Sequence, residues 1–100
     1  MPFLSQKRLD AEIGALIPEI TALRHTLHRH PDIRYEEHWT SDCIAGYLAQ
    51  AGIHVRRGYA GGTGLVGEIG PDDGPIIALR ADMDGLELQE ITGLTYASEI

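Results

Sequence analysis

Residues 76–79, the apolar run Ile-Ile-Ala-Leu, constrain the fold more than any other part of the sequence. A strand that is apolar at every position is typical of the centre of a sheet that is covered on both faces. Such a strand requires neighbouring strands and a layer of helices on each side. We therefore predict an α/β fold with residues 76–79 as a central strand.

Two helices are predicted ahead of this strand. The first carries an apolar stripe and is expected to begin near Ile17, because the proline that follows is tolerated in a first turn. It is expected to end at His30, since a residue that precedes proline disfavours helical backbone. The second is expected to have Thr40 or Ser41 as its N-cap, and Gly52 in the left-handed conformation after its last turn.

Strand patterns follow the second helix. Residues 53–56 alternate apolar and polar side chains, and residues 65–69 form a second run typical of a strand. The turn formers at 70–75 (Gly-Pro-Asp-Asp-Gly-Pro) predict a hairpin into the strand at 76–79. These elements supply only some of the strands and helices that a sheet buried on both faces needs. We therefore expect residues 1–100 to be the N-terminal part of one larger α/β domain, with two helices followed by a partial mixed sheet.

The composition narrows the classes of partner. Eight Lys and Arg against fifteen Asp and Glu give a formal net charge of −7. This charge repels phosphate backbones and anionic lipids, so neither nucleic acid nor a membrane is an expected partner. Cys43 is the single cysteine, which favours a reducing compartment, and residues 1–8 do not resemble an export signal. We therefore expect a cytoplasmic protein.

Two carboxylates, Asp82 and Asp84, follow the apolar run at the sheet edge where α/β folds gather ligands. If the backbone stays extended, both side chains point to the same side about 6–7 Å apart. Their mutual repulsion then favours a cation between them. The alternative is that both residues cap the following loop and face water, with Arg80 as their partner. The spacing alone leaves both interpretations open.

Other candidate sites lack the spacing that their chemistry needs. His25 and His28 are three residues apart on the first helix, but His25 is expected to face solvent and no His-x-x-x-His spacing accompanies them. The glycine-rich run 61–64 precedes a strand and has no lysine beside it, so it is predicted to be a flexible connection rather than a phosphate-binding loop. Cys43 is expected to pack as a small side chain of the second helix.

Four segments, taken in order, carry a recognisable signature. They are residues 27–37 (LHRHPDIRYEE), 61–67 (GGTGLVG), 77–86 (IALRADMDGL) and 89–98 (QEITGLTYAS). Together they resemble the M20 metallopeptidase family, most closely its aminoacylase and hippurate-hydrolase branch of amidohydrolases. Gly85 and Leu88 depart from the alanine and proline that are usual at these positions in the family.

The resemblance implies a two-metal hydrolase that cleaves N-acyl amino acids, peptides or related amides. It implies two divalent ions, of zinc, manganese, cobalt or nickel. It implies Asp84 as the catalytic-site aspartate that orients a metal ligand, and it places Asp82 where other branches have a metal-binding histidine. His28, His30 and residues 36–37 match signature positions, for which we expect a structural role. The family's principal ligands, catalytic glutamates and lid domain match no part of residues 1–100.

Two functional hypotheses follow. The first is the N-terminal piece of a metal-dependent amidohydrolase, inactive alone, which contributes to an enzyme that takes a small N-acyl amino acid or peptide substrate. The second is a non-catalytic binding module, derived from that fold, that forms homo-oligomers through an exposed sheet edge.

Overall fold

The computed structural model describes residues 5–100 as two helices followed by a two-stranded sheet. The elements are α1 (Gln6–Arg29), α2 (His38–Gln50), β1 (His54–Tyr59), a 3-10 turn (Ala60–Gly62) and β2 (Gly64–Glu68). The two strands are antiparallel, and one isolated bridge between Ile33 and Gly85 adds a parallel pairing. This architecture confirms the predicted α/β class. The prediction about an export signal falls partly on residues 1–4, which lie outside the described residues.

α1 is longer than the sequence pattern indicates. It begins at Gln6 rather than near Ile17, with Ser5 as its N-cap. Pro18 lies inside the helix, where its ring removes one backbone donor without ending the helix. The predicted C-terminal boundary is confirmed, because His30 is the C-cap residue. Neither helix within residues 5–100 combines the length and apolar character that a membrane span requires.

α2 takes Glu37 as its N-cap residue, so the predicted N-cap at Thr40 or Ser41 is wrong. The side-chain acceptor for the first turn comes instead from an earlier loop. The Asp32 carboxylate accepts hydrogen bonds from the Thr40 N–H at 2.9 Å and from the Thr40 hydroxyl at 3.0 Å. At the other end, Gly52 has a φ of +80°, which confirms the predicted left-handed residue after the helix.

The β1–β2 hairpin packs against α2 through small residues. A Cβ atom on Gly67 would lie 3.1 Å from a methyl carbon of Ile53 and 3.5 Å from one of Leu48 in α2, so glycine permits this close approach. Ala45, 8% exposed, is the single apolar residue that is buried among residues 5–100. Ser41, also on α2, is buried and accepts a hydrogen bond from Arg57 of β1 at 3.1 Å. The core is therefore small and partly polar.

The predicted central strand does not form. Residues 70–84 contain no strand, and Ile76, Ile77 and Leu79 are 91%, 90% and 98% exposed. The hairpin predicted at 70–75 is therefore also wrong. A doubly covered strand needs a ladder partner and a layer of side chains on each face, and the described two-stranded sheet supplies neither to residues 76–79.

Candidate functional site

A groove of about 660 Å³ runs between the two helices and the segment from residue 82 to residue 94. α1 contributes Leu27 and His28 to its lining, and α2 contributes Thr40 and Ile44. Asp82 and Asp84 line the same groove. The structure therefore brings both predicted site carboxylates to one concave surface, although the strand expected to present them is absent.

The two carboxylates differ in their contacts. Both residues are exposed, and the Asp82 carboxylate lies 2.6 Å from the Arg80 guanidinium. Arg80 is the partner expected if the two aspartates cap the following loop and face water. Its guanidinium also competes with any metal cation for the Asp82 carboxylate. Among the contacts of residues 5–100, Asp84 makes no side-chain hydrogen bond or ion pair. Asp84 is thus the carboxylate of the groove that is available to a ligand.

The backbone next to Asp84 is hydrogen-bonded to the loop before α2. The Gly85 N–H donates to the Asp32 carbonyl oxygen at 2.6 Å. A Cβ atom on Gly85 would lie 2.9 Å from the Cβ of Pro31, so the absence of a side chain allows this contact. Asp32 also accepts hydrogen bonds at the start of α2 through its carboxylate. A single residue therefore links the helix terminus to the segment that carries Asp84.

A second junction holds residues 90–99, which we call the strap, against the end of α1. His28 Nε2 donates to Glu90 Oε1 at 2.6 Å, and the same oxygen accepts from the Ser98 N–H at 3.0 Å. The other oxygen of Glu90 accepts from the Thr92 hydroxyl. The hydroxyl of Thr92 and the N–H of Ser98 together lower the pKa of Glu90. The Glu90 side chain is therefore held as an ionised acceptor beside His28.

Aromatic contacts continue this junction. The Tyr96 ring stacks on His25 with centroids 3.7 Å apart and planes 5° apart, and it meets the edge of His28 at 5.5 Å. The Arg24 guanidinium lies 5.5 Å from the centre of the same ring. Burial, followed by the charge of Arg24, lowers the pKa of His25. His25 is therefore half-buried beneath Tyr96 of the strap, rather than facing open solvent as predicted.

The glycine-rich connection is anchored by a buried acid. Glu37 is 8% exposed and Thr63 is 3% exposed, and the Thr63 hydroxyl donates to Glu37 at 2.7 Å. The Tyr35 N–H donates to the other carboxylate oxygen at 2.8 Å. The hydrogen bond from Thr63 lowers the pKa of Glu37. Residues 61–64 are thus tied to the start of α2 rather than free, a contact that no local sequence pattern indicates.

The described residues do not fit the two-metal site that the resemblance implies. Within residues 5–100, no three side chains of His, Cys, Asp or Glu converge on a position that could hold an ion. Asp82 is engaged by Arg80, and His28 is engaged by Glu90. Divalent ions need several oxygen, nitrogen or sulfur ligands around one point, and this part of the chain does not gather them.

Comparisons with known proteins find no matching family profile and no matching solved structure. They do find similar curated proteins. The chain is 38% identical over 85 residues to a probable hydrolase of Synechocystis, covering 83% of the chain and 21% of the relative. It is 37% identical over 97 residues to the N-acetyl-L-cysteine deacetylase of Bacillus subtilis, covering 96% and 23%. It is 34% identical over 95 residues to thermostable carboxypeptidase 1 of Saccharolobus solfataricus, covering 94% and 24%.

The chain therefore spans about a fifth to a quarter of the length of these curated relatives. The similarity extends over most of the chain itself and is shared by relatives whose names describe hydrolases. The chain is thus homologous to a group of amidohydrolases and carboxypeptidases, which confirms its resemblance to hydrolases of the M20 family.

Proposed function

We propose that this chain contributes to a hydrolase that cleaves the amide bond of an N-acyl amino acid or a short peptide. The observation that carries the proposal is the similarity to a deacetylase and a carboxypeptidase over 96% and 94% of the chain. Both relatives' names describe hydrolysis of an amide bond beside an amino acid. In this proposal Asp84 is the residue of the chain that acts at the reaction centre.

The exposed surface supports the view that further polypeptide packs on this chain in the active hydrolase. The chain exposes 8465 Å², whereas a compact folded monomer of 10.9 kDa exposes about 5,600 Å². Its radius of gyration is 16.2 Å, against about 13 Å for a compact domain of this length. This excess of about 2,900 Å² is well above the ~800 Å² that each partner buries in an interface of standard size, as expected for an obligate one. Residues 76–79 are among those that such packing would cover.

The ions that the resemblance implies require ligands from outside residues 5–100, since no described cluster of donors could hold one. We propose that Asp84 supports such a site from its edge. Asp82 is a weaker candidate because Arg80 neutralises it. The chain alone is then expected to bind zinc or manganese weakly and to hydrolyse no N-acyl amino acid.

A chimera tests the proposal directly. The segment of the B. subtilis deacetylase that matches this chain is replaced by residues 1–100, and hydrolysis of N-acetyl-L-cysteine is measured with zinc or manganese present. We expect the chimera to be active and Asp84→Asn to reduce its activity about 10- to 100-fold, the effect typical of losing an oriented partner in a metal site. Glu87→Gln is the matched control, because Glu87 is an exposed acid of the same segment that does not line the groove, and it should leave activity unchanged.

Two results would contradict the proposal. One is a chimera that has the relative's size and circular dichroism but no activity with either zinc or manganese. The other is an Asp84→Asn chimera as active as its parent, which would show that Asp84 does not act at the reaction centre.

The exposure of residues 76–79 also favours a second candidate, a self-associating module without catalysis. Extended apolar segments without a ladder partner pair readily with another copy. Sedimentation velocity and amide hydrogen exchange of the 100-residue chain together separate the two proposals. A saturable dimer that protects the amides of residues 76–79 from exchange, together with an inactive chimera, would support the module.

A further inference from the structure

We propose that the strap is a pH-sensitive clasp, held most tightly against α1 at mildly acidic pH and more loosely on either side of that range. The proposal does not depend on the hydrolase activity. It rests on the contacts that join residues 90–99 to the last turns of α1. In these contacts, three histidines at the end of α1 meet the strap: His25 stacks on Tyr96, His28 meets Glu90 and His30 meets Glu99.

The first part of the clasp is a pair of histidine–glutamate contacts. His28 Nε2 lies 2.6 Å from Glu90 Oε1, and His30 Nε2 lies 3.5 Å from Glu99 Oε2. Between these pairs, the Glu99 N–H donates to the Arg29 carbonyl at 2.9 Å. Histidine gains its charge near pH ~6.5 in the absence of perturbation, and a charged donor strengthens a hydrogen bond to a carboxylate. Acidification through this range should therefore tighten both contacts.

The groups around His28 set the direction of the effect. Glu90 faces it from the strap, and Asp82 and Asp84 share the groove that His28 lines, with Asp82 paired to Arg80. Arg29 is the opposing charge on α1. The hydroxyl of Thr92 and the N–H of Ser98 lower the pKa of Glu90, and Glu90 therefore keeps its charge when the histidines gain theirs. Around His30, the strap presents Glu99 and α2 presents the uncharged ring of Trp39, 4.6 Å away.

The second part of the clasp is the stack of Tyr96 on His25, which opposes strong acidification. Burial and the charges of Arg24 and Arg29 lower the pKa of His25, which favours the neutral ring that stacks on Tyr96. At lower pH it becomes charged beside two arginines, and the carboxylates of Glu90 and Glu99 become protonated. Each of these changes loosens the strap. The contacts between the strap and α1 are therefore strongest over a limited pH range and do not strengthen steadily as the pH falls.

Hydrogen exchange of the full 100-residue chain tests this clasp. The reporters are the amides of Ser98 and Glu99, which donate to Glu90 and to Arg29 respectively. Exchange rates are divided by the intrinsic rate at each pH, and a hairpin amide of Val66 serves as internal reference. We expect protection of both reporters to rise about two- to fivefold from pH ~7.5 to ~5.8, the effect of one partly exposed ion pair, and to fall again by pH ~4.

Three variants assign the effect to the clasp. His28→Gln can still donate to Glu90 but cannot become charged, so the rise at the Ser98 amide should disappear while the NMR contacts between Tyr96 and His25 persist. His30→Gln should remove the rise at the Glu99 amide. His54→Gln is the matched control, because His54 lies on β1 and is exposed, and it should leave the rise intact.

The proposal is overturned if protection in the wild type is flat or decreases between pH ~7.5 and ~5.8. It is also overturned if His28→Gln keeps the full rise, or if Tyr96 shows no NMR contact with His25 at any pH. If His28→Gln fails to fold, Glu90→Gln offers the same test from the strap side, since its amide oxygen can still accept from His28 and from the Ser98 N–H without charge.

Discussion

Replacing Gly85 with alanine should detach the segment that carries Asp84 from the loop before α2. The added Cβ would lie 2.9 Å from the Cβ of Pro31, whereas carbon atoms in ordinary contact are about 3.5–4.0 Å apart. The segment must therefore move by about 1 Å, which stretches the 2.6 Å bond from the Gly85 N–H to the Asp32 carbonyl to the limit of a hydrogen bond. Overpacking of this kind costs about 1–3 kcal/mol.

Hydrogen exchange at residue 85 measures this cost locally. A loss of about 1–3 kcal/mol corresponds to about a 5- to 150-fold decrease in the protection of that amide. Gly46→Ala is the control, since a Cβ at position 46 meets no atom within 4 Å and should stabilise α2 by about 0.5–1 kcal/mol. The resemblance to the M20 family gives alanine as the usual residue at position 85. If the amide at position 85 is as well protected in the Gly85→Ala variant as in the wild type, with Gly46→Ala behaving as expected, the described contact is refuted.

Two further predictions concern the acids that flank the start of α2. Asp32→Ala should lower the free energy of unfolding by about 1 kcal/mol, as expected for the loss of a helix cap, whereas Asp32→Asn should lose less because its amide oxygen still accepts from Thr40; equal losses in urea titrations would contradict this role. The pKa of Glu37 is lowered by Thr63, so its stabilisation is present above the pKa of the unfolded carboxyl, near ~4.3, and is lost as pH falls through the lower folded value. Glu37→Gln should therefore flatten the acid side of a plot of melting temperature against pH, and an unchanged acid side would exclude this contribution.

Local patterns predicted the elements whose contacts lie close together in the sequence. Pro31 ends α1 through its effect on the preceding residue, and Gly52 ends α2 through its positive φ. The runs predicted at 53–56 and 65–69 fall largely within β1 and β2, which pair across one short turn. The two helix ends and this turn each depend on a few neighbouring residues, which is the range where turn and capping preferences decide the structure.

Most of the errors arise where the structure depends on distant residues, the exception being the start of α1, which is capped locally by Ser5. Residues 76–79 have the composition of a central strand, but a strand forms only where a ladder partner and covering layers exist. The helix cap from Asp32 and the contact from His28 to Glu90 carry no sequence spacing that marks them. The position of Asp82 and Asp84 after the apolar run indicated them as candidate site residues, and both line the groove. The pairing of Asp82 with Arg80 was left open by the spacing, and it follows from the observed geometry.

The separation of the strap from its helix bears on the order in which the chain folds. The contact between His28 and Glu90 closes a loop of 62 residues, whereas the hairpin closes between His54 and Glu68. By the logarithmic dependence of loop entropy on length, the longer closure costs about 1.3 kcal/mol more. The hairpin and α2 should therefore assemble early, and docking of residues 90–99 should be the last step of folding and the first to reverse on warming.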